Sequence, residues 1–289
     1  MHAQRILCLA GIFLSLLLAA SVAAQQAANA PLPDIRQLMT EAHEHQKQLE
    51  KVRENYTFST SQVLEELDSS GHVTKTETRE WEAFFVNGHQ IARLVKKDGK
   101  PLDGDDLQKE TERVTKAVEK AEKPEKPEPE EKKEDKDISL RRILEMADVR
   151  NPRRENYQGR PTIVFDFVGR KELKEHGINE DLSKKLQGTV WVDETDRQIA
   201  RLEAAFDDNF RIAGGLVVNV QKGSKFRFDQ APINGEVWLP TGAEITIDMR
   251  VLLVKGVRQH ITQREYDFKR FKVETQQLKD AKVVAEKKP

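Results

Sequence analysis

From Tyr56 onward the chain alternates apolar and polar positions with a period of two, and this pattern is broken by stretches in which apolar residues recur every three or four positions. Tyr56, Phe58 and Thr60 alternate with polar neighbours until the turn cluster Asp68-Ser69-Ser70-Gly71. The next strand is predicted over Val73 to Val86, with Trp81 and Phe85 on one face. Asn87-Gly88 is a two-residue hairpin signal, Ile91 to Val95 returns from it, and Asp98-Gly99 turns again. Further strands are predicted over Thr162 to Val168, Gly188 to Asp193, Gln198 to Phe206, Leu216 to Gln221, Lys225 to Asp229, Glu236 to Leu239, Ala243 to Val254 and Val257 to Phe271. The Ala243 strand has the cleanest alternation: Ile245, Ile247, Met249, Val251 and Leu253 point one way, and Glu244, Thr246, Asp248 and Arg250 the other.

The interrupting stretches read as helices. Asp34 caps one whose apolar positions are Ile35, Leu38, Met39, Ala42 and Leu49. A second follows Asp103-Gly104-Asp105-Asp106, with Leu107, Val114, Ala117, Val118 and Ala121 at helical spacing. Ser139 caps a third, carrying Leu140, Ile143, Leu144 and Ala147 and ended by Asn151-Pro152, and a short helix holds Leu182 and Leu186. Strands with one apolar and one charged face need a cover. The expected fold class is therefore α+β: a strongly curved antiparallel β-sheet, an open half-barrel, covered on its concave face by helices. Residues 34–271 form a single domain in this reading, with an insertion over 103–150 and a polar tail over 272–289. Lys123 to Asp137 is almost wholly Lys, Glu, Asp and Pro, a composition expected to form a mobile loop.

The first residues follow another logic. Arg5, the apolar run Ile6 to Val22 and the small-residue site Val22-Ala23-Ala24 have the layout of a signal peptide cleaved after Ala24, with 25–33 as a spacer. Cys8 lies inside that run, so the mature chain is expected to hold no thiol, no disulfide and no transmembrane segment. A periplasmic location is the expected compartment. Lys and Arg number 48 against 49 Asp and Glu, which leaves no basic field to attract nucleic acid or anionic lipid.

Candidate chemistry is sparse. His43 and His45, two apart on a helix, point away from each other and cannot share a metal ion, so a solvated helix face explains them. Asp103-Gly104-Asp105-Asp106 and Asp207-Asp208-Asn209 lack the remaining ligands of a calcium loop. No Gly-x-Ser-x-Gly is present, and Gly214-Gly215 precedes strand residues rather than a helix. The expectation is no enzyme, no catalytic residue, no metal and no cofactor. What stands out is apolar surface: Phe165, Phe167, Trp191, Leu202, Trp238, Ile245, Ile247, Met249, Val251 and Leu253. Two readings apply to these residues, an ordinary core and the lining of a hollow for an acyl chain.

The segment Gly188-Thr-Val-Trp-Val-Asp-Glu-Thr-Asp-Arg-Gln-Ile-Ala-Arg-Leu-Glu203 resembles a hairpin phrase of the LolA-like superfamily, which includes lipoprotein carriers, lipoprotein receptors and the regulator RseB. Glu236-Val-Trp-Leu-Pro240 is similar to a Gly-x-Trp-x-Pro phrase of that family, and Tyr266-Asp-Phe-Lys-Arg-Phe271 to its closing strand. The resemblance implies an open β-barrel with helices over its mouth and an apolar cavity for a lipid-linked cysteine. It implies a non-enzymatic periplasmic carrier or chaperone binding a lipid or lipoprotein acyl chain, or alternatively an RseB-like sensing module with an envelope protein partner. The insertion over 103–150 departs from the small carriers, and no carrier arginine is matched to a residue here. A hydrolase with a dispersed site is the third class, and it requires convergent carboxylates or histidines in the hollow.

Overall fold

The computed structural model of the chain describes residues 31–123, 140–174, 177–212, 218–251 and 255–270. The expected signal segment, the expected loop beyond Lys123, Ser139, Leu253, Phe271 and the tail lie outside the described residues.

Helix α1 (Ile35–Arg53) starts where Asp34 Oδ1 accepts the backbone N–H of Gln37 at 2.9 Å, satisfying one donor of the first turn. Leu38, Met39 and Ala42 on its apolar side are buried. A meander follows: β1 (Tyr56–Leu67), β2 (Val73–Val86), β3 (His89–Lys97) and β4 (Lys100–Pro101). Its tight turns place Asn87 and Gly88 at φ 46° and 81°, and Asp98 and Gly99 at 50° and 74°. This left-handed region is open to Gly and tolerated by Asn and Asp, and its twist suits a two-residue hairpin. Helix α2 (Gly104–Glu122) follows, and beyond it come α3 (Leu140–Glu145), β5 (Ala147–Tyr157), β6 (Arg160–Gly169) and α4 (Ile178–Ser183). The chain then forms β7 (Leu186–Asp193), β8 (Ile199–Phe206), β9 (Phe210–Ile212), β10 (Val218–Val220), β11 (Lys225–Ile233), β12 (Val237–Val251) and β13 (Lys255–Arg270).

Several elements differ from the sequence expectation. The helix expected to run to Asn151-Pro152 stops at Glu145, and both residues lie in strand β5. Asn151 sits at φ 50° where the β5–β6 register shifts between Arg150 and Arg153. A bulge in the last strand of the sheet is where a proline's missing N–H removes least from the ladder. Leu186 opens β7 instead of closing a helix. The segments expected as Glu236 to Leu239 and Ala243 to Val254 form one strand, β12, whose pairing with β11 shifts register between Asp229 and Gln230.

The strands pair antiparallel in the order β4-β3-β2-β1-β13-β12-β11-β8-β7-β6-β5, with the β9–β10 hairpin added on β12, and the sheet is not closed into a barrel. Its two faces are chemically distinct. One cross-strand row runs Phe167, Gly188, Ala204, Phe226, Ile245, Ile261, Leu64. The row formed by adjacent residues on the opposite face runs Asp166, Thr189, Glu203, Arg227, Glu244, Thr262. Gly188 is required in the apolar row, since a Cβ there would lie 2.0 Å from the Glu203 carbonyl oxygen. The main core joins Ile163, Phe165, Phe167, Val190 and Leu202 to Leu38 and Met39 of α1, Ile143 and Leu144 of α3, and Leu182 of α4. A second cluster packs Tyr56, Val237 and Leu239 against Leu49 and Val52. No helix among the described residues is long and apolar enough to cross a membrane.

Candidate functional site

Phe165, Phe167 and Leu202 lie together in the main core. Ile247 and Met249 are half-buried and pack against it, while Ile245 and Val251 are half-buried on the same strand. Trp191 is not brought to this face. It pairs with Val164 and Arg201, whereas its neighbours Val190 and Val192 are fully buried in the core. Its indole lies 5.4 Å from the Arg201 guanidinium and 6.3 Å from the Tyr157 ring, and Nε1 donates to Glu155 at 3.3 Å. The two branched residues flanking Trp191 in Thr-Val-Trp-Val-Asp were the signal for this, because alternation puts them on one side and the tryptophan on the other.

Where α1 and α3 meet the sheet they leave a hollow of about 250 Å³. Ile35, Met39, Leu144, Val149 and Phe165 supply its apolar lining, and Arg36, Thr40 and Glu145 complete it. At ~30 Å³ per water it has the volume of about eight solvent molecules, yet its lining offers them few partners.

A larger groove, about 490 Å³, opens on the polar side of the sheet. Small residues such as Val168 and Ala205 lie among the longer Glu203, Lys225, Arg227 and Glu244, and this difference in length makes the depression. Its carboxylates are engaged. Asp166 accepts from Thr189 Oγ1 at 2.9 Å and Asn151 Nδ2 at 3.0 Å, and pairs with Arg153 at 3.4 Å. Burial pushes the Asp166 carboxyl up, but these hydrogen bonds and the Arg153 charge outweigh it and hold the group below the usual aspartate value. Arg227 bridges Glu244 at 2.7 Å and Asp229 at 3.1 Å, and Arg201 pairs with Glu203. These carboxylates are thus paired with arginines or held by hydrogen bonds across neighbouring strands. Among the described residues no group of three or more His, Cys, Asp or Glu is placed to hold a metal ion.

The turn between β7 and β8 ties these surfaces together. Asp193 is fully buried and accepts Arg160 Nη2 at 3.0 Å and Nε at 2.5 Å, together with the backbone N–H groups of Thr195 and Asp196 at 3.0 and 2.7 Å. Asp196 Oδ2 accepts Arg160 Nη2 at 2.7 Å and Trp238 Nε1 at 3.0 Å. Helix α1 is fastened to the same turn: His45 Nδ1 lies 3.0 Å from the Asp196 carbonyl oxygen, and Glu41 pairs with Arg197 at 3.4 Å. A carbonyl only accepts, so His45 carries its proton on Nδ1 in this contact. The acidic hairpin phrase and the Trp238 phrase, distant in sequence, thus meet in one network that holds α1 on the sheet.

Two buried polar side chains among the described residues, Gln198 and Glu265, each have a polar atom unmatched, and of these Glu265 is the acid. Glu265 of β13 is 8% exposed; its Oε1 accepts from Gln263 Nε2 at 2.5 Å, while Oε2 has no hydrogen-bond partner. Burial pushes its pKa above the ordinary glutamate value against the lowering effect of Gln263.

No protein-family model matches the sequence, and no curated protein matches it. A comparison with solved structures finds similarities at low identity and low TM-score. A domain named for outer membrane lipoprotein sorting, from Vibrio parahaemolyticus, is 12% identical with a TM-score of 0.33, covering 86% of this chain and 100% of its own. A LolA superfamily protein from Nitrosomonas europaea is 11% identical with a TM-score of 0.32, covering 81% and 95%. The Pseudomonas aeruginosa MucA/MucB complex contains a chain 11% identical with a TM-score of 0.23, covering 80% and 99%. The solved structures to which the chain is similar thus include LolA-superfamily proteins, the family that its hairpin phrases resemble.

Proposed function

We propose that the protein is a non-enzymatic carrier or chaperone of the bacterial periplasm that holds a lipid or lipoprotein acyl chain against the apolar face of its sheet. The observation that carries this is the apolar hollow of about 250 Å³ between α1, α3 and Phe165, on the face that also bears Phe167, Leu202, Ile245, Ile247, Met249 and Val251. In this reading α1 and α3 cover the concave side, and the half-buried stripe of β12 extends the lining beyond the hollow. Trp191 is left out, since it lies on the polar face. Export follows from the Val22-Ala23-Ala24 site.

The test uses protein purified from the envelope fraction, with mass spectrometry expected to place the mature N-terminus at Gln25. An environment-sensitive fatty-acid probe should bind it. Met39→Trp, which fills the hollow, and Ile247→Trp, on the stripe, should each weaken binding about tenfold or more. Absence of probe binding by the unmodified mature protein refutes the carrier reading. A second reading, an RseB-like module that binds an envelope protein, is favoured by the polar groove of about 490 Å³. It predicts a protein that copurifies without lipid.

A further inference from the structure

The two ends of the sheet are finished differently. At one end, β5 carries Pro152 and a bulge, ordinary defences of an exposed strand. At the other, β4 pairs only with Lys96 and Lys97, so among the described residues β3 has no strand beside it at Ala92 and Leu94. Helix α2 serves that stretch instead. Glu110 Oε1 accepts the Leu94 N–H at 2.6 Å, and Arg113 Nη2 donates to the Ala92 carbonyl oxygen. One acceptor and one donor, three residues apart on a helix and paired to each other, thus take the place of the C=O and N–H of an antiparallel strand.

The substitute is lightly held. Ala121 is the one residue of α2 that is buried, Leu107 is 50% exposed, and the remaining polar tie described between the helix end and the hairpin is Asn87 Nδ2 to the Ala121 carbonyl at 3.2 Å. The edge strand has a marked charge: Arg93, Lys96 and Lys97 with no carboxylate of its own. Arg93 and Lys96 pair with Glu82 and Glu80 of β2. A second copy of this chain is a poor occupant, because a symmetric pairing of Leu94 with Ala92 would set Arg93 opposite Arg93.

We propose that the outer edge of β3 at Ala92–Leu94 is a docking site for an extended segment of a partner protein bearing a carboxylate opposite Arg93, and that α2 occupies it in the resting state through Glu110 and Arg113. The partner adds a strand to the sheet and displaces the helix. This site is separate from the hollow and stands whether or not an acyl chain is bound.

The test compares two synthetic ten-residue peptides of alternating threonine and valine, one with glutamate and one with lysine at its centre. Amide exchange at Leu94 and peptide affinity are measured on the full-length mature chain. In Glu110→Ala/Arg113→Ala the Leu94 amide should exchange faster than in the unmodified protein. The glutamate peptide should restore its protection and bind about tenfold more tightly than to the unmodified protein, whose edge is occupied. The lysine peptide should do neither. Glu110→Gln keeps an acceptor and should retain Leu94 protection. If the double variant does not fold, Glu110→Ala alone, which removes the acceptor of the Leu94 N–H, is held to the same criteria. Equal binding of both peptides, or no binding while the Leu94 amide exchanges freely, overturns the proposal. Dimerisation of the variant in sedimentation overturns the choice of a foreign partner.

Discussion

Replacing Glu265 by Gln should stabilise the protein at neutral pH and leave it nearly unchanged in acid. The side chain is 8% exposed, and of its two oxygens only Oε1 has a partner. Its folded pKa is raised by burial above that of the unfolded chain, ~4.3. The proton is therefore bound more tightly in the folded state. The favourable contribution of the neutral acid is fully present below about pH 4.3 and is lost as pH rises through the raised folded value. Above both values the fold holds an ionised carboxylate with one unpaired oxygen, whereas glutamine keeps the acceptor for Gln263 in the same volume without the charge. An unsatisfied buried group costs roughly 1–3 kcal/mol, more when charged, so the gain at pH 7.5 should lie in that range, with a difference within about 0.5 kcal/mol at pH 4. Urea unfolding at both pH values measures this, provided the two proteins share one m-value. A stability difference independent of pH, or a less stable variant at pH 7.5, would show that Oε2 is satisfied in solution and that the reasoning is wrong.

Two further outcomes follow from the polar contacts. Asp193→Ala removes a fully buried carboxylate from Arg160 and from the N–H groups of Thr195 and Asp196, and should cost about 3–5 kcal/mol in denaturant unfolding; a loss below about 1 kcal/mol would mean that the turn does not depend on it. The lowered pKa of Asp166 gives a contribution present above the unfolded aspartate value of ~3.9 and lost as pH falls through the folded one. Asp166→Asn should then flatten the decline in stability between about pH 5 and 3, by less than ~1 kcal/mol for a half-exposed group, and an unchanged pH profile would contradict the assignment.

Local rules made much of the fold legible. Asn87-Gly88 and Asp98-Gly99 announced their hairpins because few residue types accept a left-handed φ. Asp34 announced α1 because a helix start has unmatched donors, and the Ile245 to Val251 alternation appeared unchanged in β12. Strand β5 was hidden because Asn151-Pro152 is a helix stop by propensity, and only the partner strand β6 supplies the bulge that admits it. The site was less legible. Alternation put Phe165, Phe167 and Leu202 on an apolar face that suits either a core or the lining of a hollow, and the hollow beside Phe165 depends on how α1 and α3 settle on the sheet. The polar groove arises from differences in side-chain length across neighbouring strands, which no single segment contains. The partners of the acidic turn, Arg160, His45 and Trp238, come from three distant segments, and spacing does not reveal them.

The pairing of β1 with β13 divides the sheet into two pieces of different folding character. Every other ladder in β1 to β4 and in β5 to β8 joins strands that are neighbours in sequence, as does each ladder among β11, β12 and β13, so those meanders assemble between consecutive strands. The β1–β13 seam is another matter, since Gln62 meets Gln263 across 201 residues. Closing so long a loop is entropically costly, and pairings of high sequence separation slow folding. A chain growing from its N-terminus produces Gln62 of β1 fully 201 residues before Gln263 of its second partner. Until then that flank of β1 is an open strand edge on an incomplete protein, the feature most exposed to mispairing and most in need of being held apart from other chains.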